Sequence, residues 1–369
     1  MQNPIPLFKV YMSPEAPERV AEVLRSGYIG QGKIVEQFEE KLQTIFNCPV
    51  RPLTVNAGTS ALTLALHLVG AGPGTEVVST PMTCLATNTP IRASGAQVVW
   101  ADVDPNTGLI DPEDVSRVVG PRTKAIMAVD WCGTPCNYSA LRKFGIPIIE
   151  DAAHAILSRV YVDGHVGDLH VAAAAGDYVC FSLQAIKHLT TGDGGLLVVP
   201  REQYQRAKLL RWYGFDRDCS ESFRCAQNVK ELGYKFHMND INAAIGLANL
   251  EHTVEIVETH RQNAKFYDRN IDNPLVKLIP FHPYSSYWIY TILVADIPSF
   301  TAYMQSCGVV VSPVHRRNDD YDALRGSWRP LPGVDEFFRQ QVAIPVGWWV
   351  TPEDREKITG AVNSWRPKP

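Results

Sequence analysis

Between residues 50 and 200 the chain alternates short apolar, β-branched runs with segments in which apolar positions recur every three to four residues. A continuous apolar run suits a strand buried on both faces, and the longer spacing suits a helix laid across it. The alternation therefore predicts a parallel sheet with crossover helices. Strands are expected at 51–55, 76–79, 97–102, 125–129, 146–150, 178–182 and 195–199. The clearest helix is 60–69, where Leu62, Ala65, Leu66 and Val69 share one face and Gly70 stops it. Beyond Pro200 the pattern becomes helix-rich. Residues 239–260 read as a long amphipathic helix opened by Asn239 or Asp240, with Ile241, Ala244, Ile245, Leu247 and Ala248 toward a core. Asn273-Pro274 and Phe281-His282-Pro283 then punctuate the chain, and 287–294 and 309–311 read as strands of a smaller unit. The expected class is α/β, with a large domain over 10–250 on a mostly parallel seven-stranded sheet and a small C-terminal α+β domain over 251–369.

Composition narrows the function classes. A chain of 369 residues, 45% hydrophobic and 20% charged, can bury two sizeable cores and is neither disordered nor fibrous. A net charge of -4 supplies no basic stripe, so nucleic acid is not an expected partner. The start lacks a basic segment followed by an apolar one, and no apolar run reaches about 18 residues, so a cytoplasmic protein without a membrane partner is expected. The cysteines, at 48, 84, 132, 136, 180, 219, 225 and 307, are scattered through a chain too large to need disulfides. Cys132 and Cys136 have no second Cys or His pair nearby, so no metal site is expected.

Three segments carry candidate chemistry. In Phe181-Ser182-Leu183-Gln184-Ala185-Ile186-Lys187-His188-Leu189, apolar residues flank one lysine ahead of a glycine-rich turn. Desolvation favours the neutral, nucleophilic amine, although a lysine before such a turn is also an ordinary surface residue. In Val55-Asn56-Ala57-Gly58-Thr59-Ser60-Ala61-Leu62, a strand end passes through a small-residue turn into a helix. Free amides there, with the Thr59 and Ser60 hydroxyls, form an anion site or simply cap the helix. In Ile146-Pro147-Ile148-Ile149-Glu150-Asp151-Ala152-Ala153-His154, an apolar strand delivers Asp151 to the crevice of an open sheet. His154 follows in a helical turn, and Asp151 reads equally as a ring partner or as the cap of a following helix.

Together with Gly27-Tyr28-Ile29-Gly30-Gln31-Gly32 near the start and Gly233-Tyr234-Lys235-Phe236-His237-Met238-Asn239-Asp240 further on, these segments resemble, in chain order, the DegT/DnrJ-type sugar-nucleotide aminotransferases. Those are pyridoxal-phosphate enzymes of the aspartate aminotransferase fold, fold type I. The resemblance covers nearly the whole chain. It implies that Lys187 carries pyridoxal 5'-phosphate through a Schiff base, that Asp151 pairs with the pyridine nitrogen and that His154 lies near the phenolic oxygen. It further implies that Gly58, Thr59, Ser60 and Ser182 surround the phosphate, and that residues 233–240 reach the phosphate site of a neighbouring subunit in a homodimer with shared active sites. L-glutamate is the implied donor and a nucleotide-linked keto sugar the implied acceptor.

Departures accompany the matches. Cys84 stands where relatives stack an aromatic ring on the cofactor, Gln184 where a histidine is common, and Lys235 where an asparagine is common, a cation suited to a phosphate. His315, Arg316, Arg317 and Asn318 are expected to meet a substrate diphosphate or carboxylate, or else to form a solvated loop. Trp288, Tyr290, Trp348 and Trp349 read as stacking partners for a base or sugar, or as core. Two rival functions stay open: a transaminase of a non-nucleotide keto sugar or cyclitol, and a non-catalytic binding protein, whose expected mark would be loss of Lys187 or Asp151.

Overall fold

The computed structural model describes residues 4–162, 165–170, 176–219, 226–324 and 328–367. Its strands include β1 (Leu53–Val55), β2 (Glu76–Ser79), β3 (Gln97–Trp100), β4 (Thr123–Val129) and β5 (Ile148–Asp151). A hairpin of β6 (Arg159–Val162) and β7 (His165–His170) precedes β8 (Tyr178–Ser182) and β9 (Gly195–Val198). Seven of these form one sheet in the order β1-β9-β8-β5-β4-β2-β3. Each expected sheet strand is present, with ends displaced by at most two residues. The β2, β3, β4, β5 and β8 pairs are parallel, and β9 runs against both β1 and β8.

Side chains alternate across these strands. Ala125 and Met127 of β4 and Cys180 of β8 enter one core, while Ile126 and Ala128 of β4 and Val179 and Phe181 of β8 enter another, so helices cover both faces. The predicted helix at 60–69 is α3 (Gly58–Leu68), opened two residues earlier, and it is apolar on nearly every side because it is buried.

The long helix spans Asp240–Asn270, running through position 250 without a break and well past the expected end at 260. Asn239 caps it, its side chain accepting from the Asn242 amide. Ala244, Leu247 and Ala248 are buried as expected, whereas Ile241 and Ile245 stay half-buried. Of two earlier helices, α1 (Ala16–Ser26) and α2 (Lys33–Phe46), the second takes its cap from the long helix. Asp240 Oδ1 accepts from the Gly32 amide at 2.7 Å and the Val35 amide at 3.2 Å. Gly32 is required there, because a Cβ would lie 2.8 Å from Asp240 Oδ2.

The remaining core surrounds a three-stranded antiparallel sheet of β10 (Val276–Leu278), β11 (Tyr290–Val294) and β12 (Gln341–Ile344). The strand expected from 287 starts only at Tyr290, since Tyr287 has φ +48° and breaks the ladder. The strand expected at 309–311 is corrected to isolated bridges from Val309 to Ile5 and from Ser312 to Ala343: Gly308, at φ +74°, precedes it and Pro313 has no amide to extend it. No helix among the described residues is long and apolar enough to cross a membrane. Cys225 lies outside the described residues, and no disulfide joins cysteines among the described residues.

One buried ion pair ties β1 to the helices around it. Glu39 accepts from Arg211 Nη1 at 2.6 Å and from the Thr54 amide at 2.9 Å, with both charged side chains almost fully enclosed. Removing one partner of such a pair leaves an uncompensated charge. Arg211→Met is expected to destabilise the fold by about 3–5 kcal/mol, read as a lower urea midpoint with an unchanged slope. A midpoint like that of the parent chain would show that water reaches Glu39.

Candidate active site

The carboxyl ends of β4, β5 and β8 bring Val129, Asp151 and Cys180 to one level, since Val129 is in register with Asp151 and Asp151 with Cys180. Open α/β sheets bind ligands at that edge. A cavity of about 430 Å³ opens there, and Lys187, Asp151, His154, Gly58, Thr59, Cys84, Ser182, Gln184 and His315 all line it.

Asp151 is buried and held from two sides. Its Oδ2 accepts from Thr87 Oγ1 at 2.7 Å, and its Oδ1 from the Ala153 amide at 3.1 Å. Burial pushes its carboxyl above the usual range, while Thr87, the Ala153 amide and the charge on Lys187 pull it back. No helix follows Asp151. Residues 152–157 form turns, so the reading of Asp151 as a helix cap, and of His154 as lying in a helical turn, is corrected: the Asp151 side chain instead closes a turn on its own second neighbour. Thr87, not singled out from sequence, lies on α4 (Leu85–Ala93) and meets Thr83 Oγ1 at 2.7 Å. The one available signal was the pair of threonines four residues apart across a helix start.

Lys187 is partly exposed to the cavity, and protein encloses its amine on the other sides. Burial pushes its amine down to about 8, against the opposing charges of Asp151 and Cys84. His154 packs on Trp288 with ring centroids 4.0 Å apart, and its Nδ1 has no partner among the described residues. Burial holds it well below the usual histidine range, with further lowering from Lys187, His315 and His188, so its ring is neutral at pH 7. Burial likewise brings His315 to about 4, and its Nε2 also has no partner among the described residues.

At the opposite end the backbone provides the donors. Ala57 is extended, α3 begins at Gly58, and the Gly58 and Thr59 amides meet no acceptor among the described residues. Two glycines permit this turn to lie against the sheet: a Cβ on Gly195 would sit 2.6 Å from the Ala57 carbonyl oxygen, and one on Gly58 3.1 Å from Ser182 Cβ. Ser60 is behind the cavity wall, its hydroxyl donating to Asn56 Oδ1 at 2.6 Å.

Other sequence-selected residues lie elsewhere. Lys235 is exposed outside the cavity, its Nζ 5.6 Å from the centroid of Trp212. Arg316 meets Asp320 and the Tyr321 ring, and Arg317 is bound by Asp319 and Asp335. Asn318 is fully buried, bonded to Asn88 and to the Thr83 carbonyl, and so clamps its loop to the segment before α4. Of that quartet only His315 reaches the cavity. Trp288 joins it in the wall; Tyr290 is in the small-sheet core, Trp348 meets Lys9, and Trp349 donates to the Pro6 carbonyl.

Compared with known proteins, residues 11–363 match the sequence model of the DegT/DnrJ/EryC1/StrS aminotransferase family. The chain is 34% identical over 262 residues to the spore coat polysaccharide biosynthesis protein SpsC of Bacillus subtilis (strain 168), a match that covers 69% of this chain and 65% of that relative, just under two thirds of its length. It is similar in structure to AtS13 from Actinomadura melliaura, with TM-score 0.92 and 40% identity over 99% of this chain and 100% of that one. The sugar aminotransferase CalS13 from Micromonospora echinospora gives TM-score 0.88 and 36% identity over 98% and 100%.

The enclosed amine has a measurable signature. With its midpoint near 8, about half of the Lys187 amines are neutral at pH 8, against about one in 300 for a solvated lysine. Cyanate reacts with neutral amines only. Its rate at Lys187, followed by peptide mass, is expected to rise through about pH 8 and level off, and a rise that continues beyond pH 10 would place the amine in open water.

Proposed function

The chain belongs to the DegT/DnrJ/EryC1/StrS aminotransferase family, and from that premise we propose that it moves an amino group from L-glutamate to a keto carbon of a nucleotide-linked sugar, with pyridoxal 5'-phosphate as cofactor. The observation that carries this reading is that one cavity gathers an enclosed amine, a fixed carboxylate and the free amides of a helix start.

The residues fit the cofactor. The Gly58 and Thr59 amides with the Ser182 hydroxyl would take its phosphate, Asp151 its ring nitrogen and the unpartnered His154 Nδ1 its phenolic oxygen. When bound, the cofactor supplies an electron sink that lets the C–H bond beside the transferred nitrogen ionise.

The chain's own groups do the rest. Asp151, fixed by Thr87 and the Ala153 amide, would hold a proton on the ring nitrogen through its negative charge. Lys187 Nζ, once free, would take a proton from the donor carbon and return one to the acceptor carbon; a midpoint near 8 suits an amine that must act as both base and acid close to neutral pH. Cys84 leaves the wall above the cofactor without the aromatic ring that relatives place there, so ring packing falls to other residues of the wall.

The proposal includes a cytoplasmic homodimer whose partner completes each site. Tyr28 is 83% exposed and Leu232 85%, and a further cavity of about 910 Å³ lies between α1, α2 and the long helix. Such apolar exposure suits contact with a second copy, and the position of Lys235 outside its own chain's cavity suits donation to a neighbour's phosphate site.

The purified protein should show a near-visible cofactor band that bleaches with L-glutamate and returns with one member of a panel of nucleotide-linked 3-keto and 4-keto sugars. If no such band forms even with added pyridoxal phosphate, the reading fails and a binding protein remains. Lys187→Ala is expected to lose the label that borohydride fixes to the chain and to slow turnover by about 10²–10⁴. Asp151→Asn should keep bound cofactor yet transaminate far more slowly, and full activity in that variant would remove Asp151 from the chemistry.

A further inference from the structure

Lys187 Nζ makes no hydrogen bond or ion pair among the described residues, yet it lies 3.5 Å from the centroid of the Trp288 ring. A cation on an aromatic face at that distance is attracted by the ring quadrupole, most strongly for tryptophan and where water is excluded. The indole is itself fixed. Its Nε1 donates to the Ile186 carbonyl at 2.9 Å, its backbone amide donates to the Cys132 carbonyl at 3.0 Å, His154 stacks on it at 4.0 Å and Phe8 at 5.0 Å. Trp288 therefore cannot turn away without breaking contacts on several sides.

We infer that Trp288 is a positioning residue for Lys187: its indole face receives the protonated amine and holds it at the cavity wall between proton transfers. The inference rests on Lys187 as the reacting amine of the proposed transaminase. A lysine that gives up its bond to the cofactor and gains a proton needs a place to wait within reach of the reacting carbon. The amine bonds to none of the acceptors along the wall among the described residues, and the aromatic face takes their place. A carboxylate at that spot would bind the ammonium too firmly for it to act as an acid, whereas a ring stabilises it modestly.

The other groups facing the amine are few. Asp151 from the end of β5 and Cys84 from the start of α4 favour its charged form. His154 from the turn after β5 and His315 from the loop after Ser312 are both neutral at pH 7 and do not repel it. His188, its sequence neighbour, is also held neutral by burial and meets the Ser286 carbonyl.

The test is the pH dependence of cyanate modification at Lys187 in cofactor-free protein, which needs neither sugar nor transaminase activity and so stands or falls apart from the proposed function. Trp288→Leu keeps apolar bulk but loses the ring, and its midpoint is expected to fall by about one pH unit. Trp288→Phe keeps a weaker face and should fall by a few tenths. A midpoint that stays in place, or climbs toward that of a solvated lysine, would overturn the inference, as would identical shifts for Phe and Leu. If the Leu variant does not fold, the Phe variant alone decides: no downward movement rejects the role. In the loaded enzyme the Leu variant should lose about tenfold in kcat with KM for L-glutamate little changed, largely restored by Phe; a rise in KM with kcat intact would instead make Trp288 a substrate wall.

Discussion

An amine at the cavity wall that makes no hydrogen bond or ion pair among the described residues is the constraint around which this structure is arranged. Such a group is costly to charge, and the cost is what makes it reactive near neutral pH. Asp151 is close enough to matter electrostatically, but no hydrogen bond or ion pair joins it to the amine, so it tunes the amine without capturing it. Two neutral histidines line the same space and leave the positive charge on Lys187 unopposed by like charges.

The reversed strand β9 connects this amine to the turn that opens α3. Because β9 runs against both β1 and β8, it places Gly195 beside Val55 on one side and Ser182 on the other. The helix start at Gly58 can then approach the loop that carries Lys187, with glycine on both faces of the contact. The free amides of that helix start and the amine are thus spaced by sheet register.

Much of this was legible in the sequence. All seven sheet strands follow from apolar runs bounded by turn residues, and Lys187, Asp151 and Gly58 follow from strand ends that a parallel sheet must bring to one edge. What sequence hid was partnership. Arg316, Arg317 and Asn318 look alike as polar residues on a loop, yet only the fold reveals that Asp335 and Asn88 already engage two of them. Thr87 escaped notice because a hydroxyl in a helix carries no periodic signal, and its role exists only once β5 lies beside α4. The short strand β12 was also invisible, since four residues with a buried glutamine give neither alternation nor length.

The contact of Phe8 with Trp288 joins the start of the chain to the segment just before β11. Such a contact forms only after most of the polypeptide has been synthesised, so the wall behind the amine is assembled last even though the large sheet can form first. Until residues near 288 emerge, the Lys187 loop lacks both Trp288 and His315, and its amine has no aromatic wall to lie against. The wall around this amine is thereby withheld from unfinished chains, and it exists only once the start of the chain has found the segment just before β11.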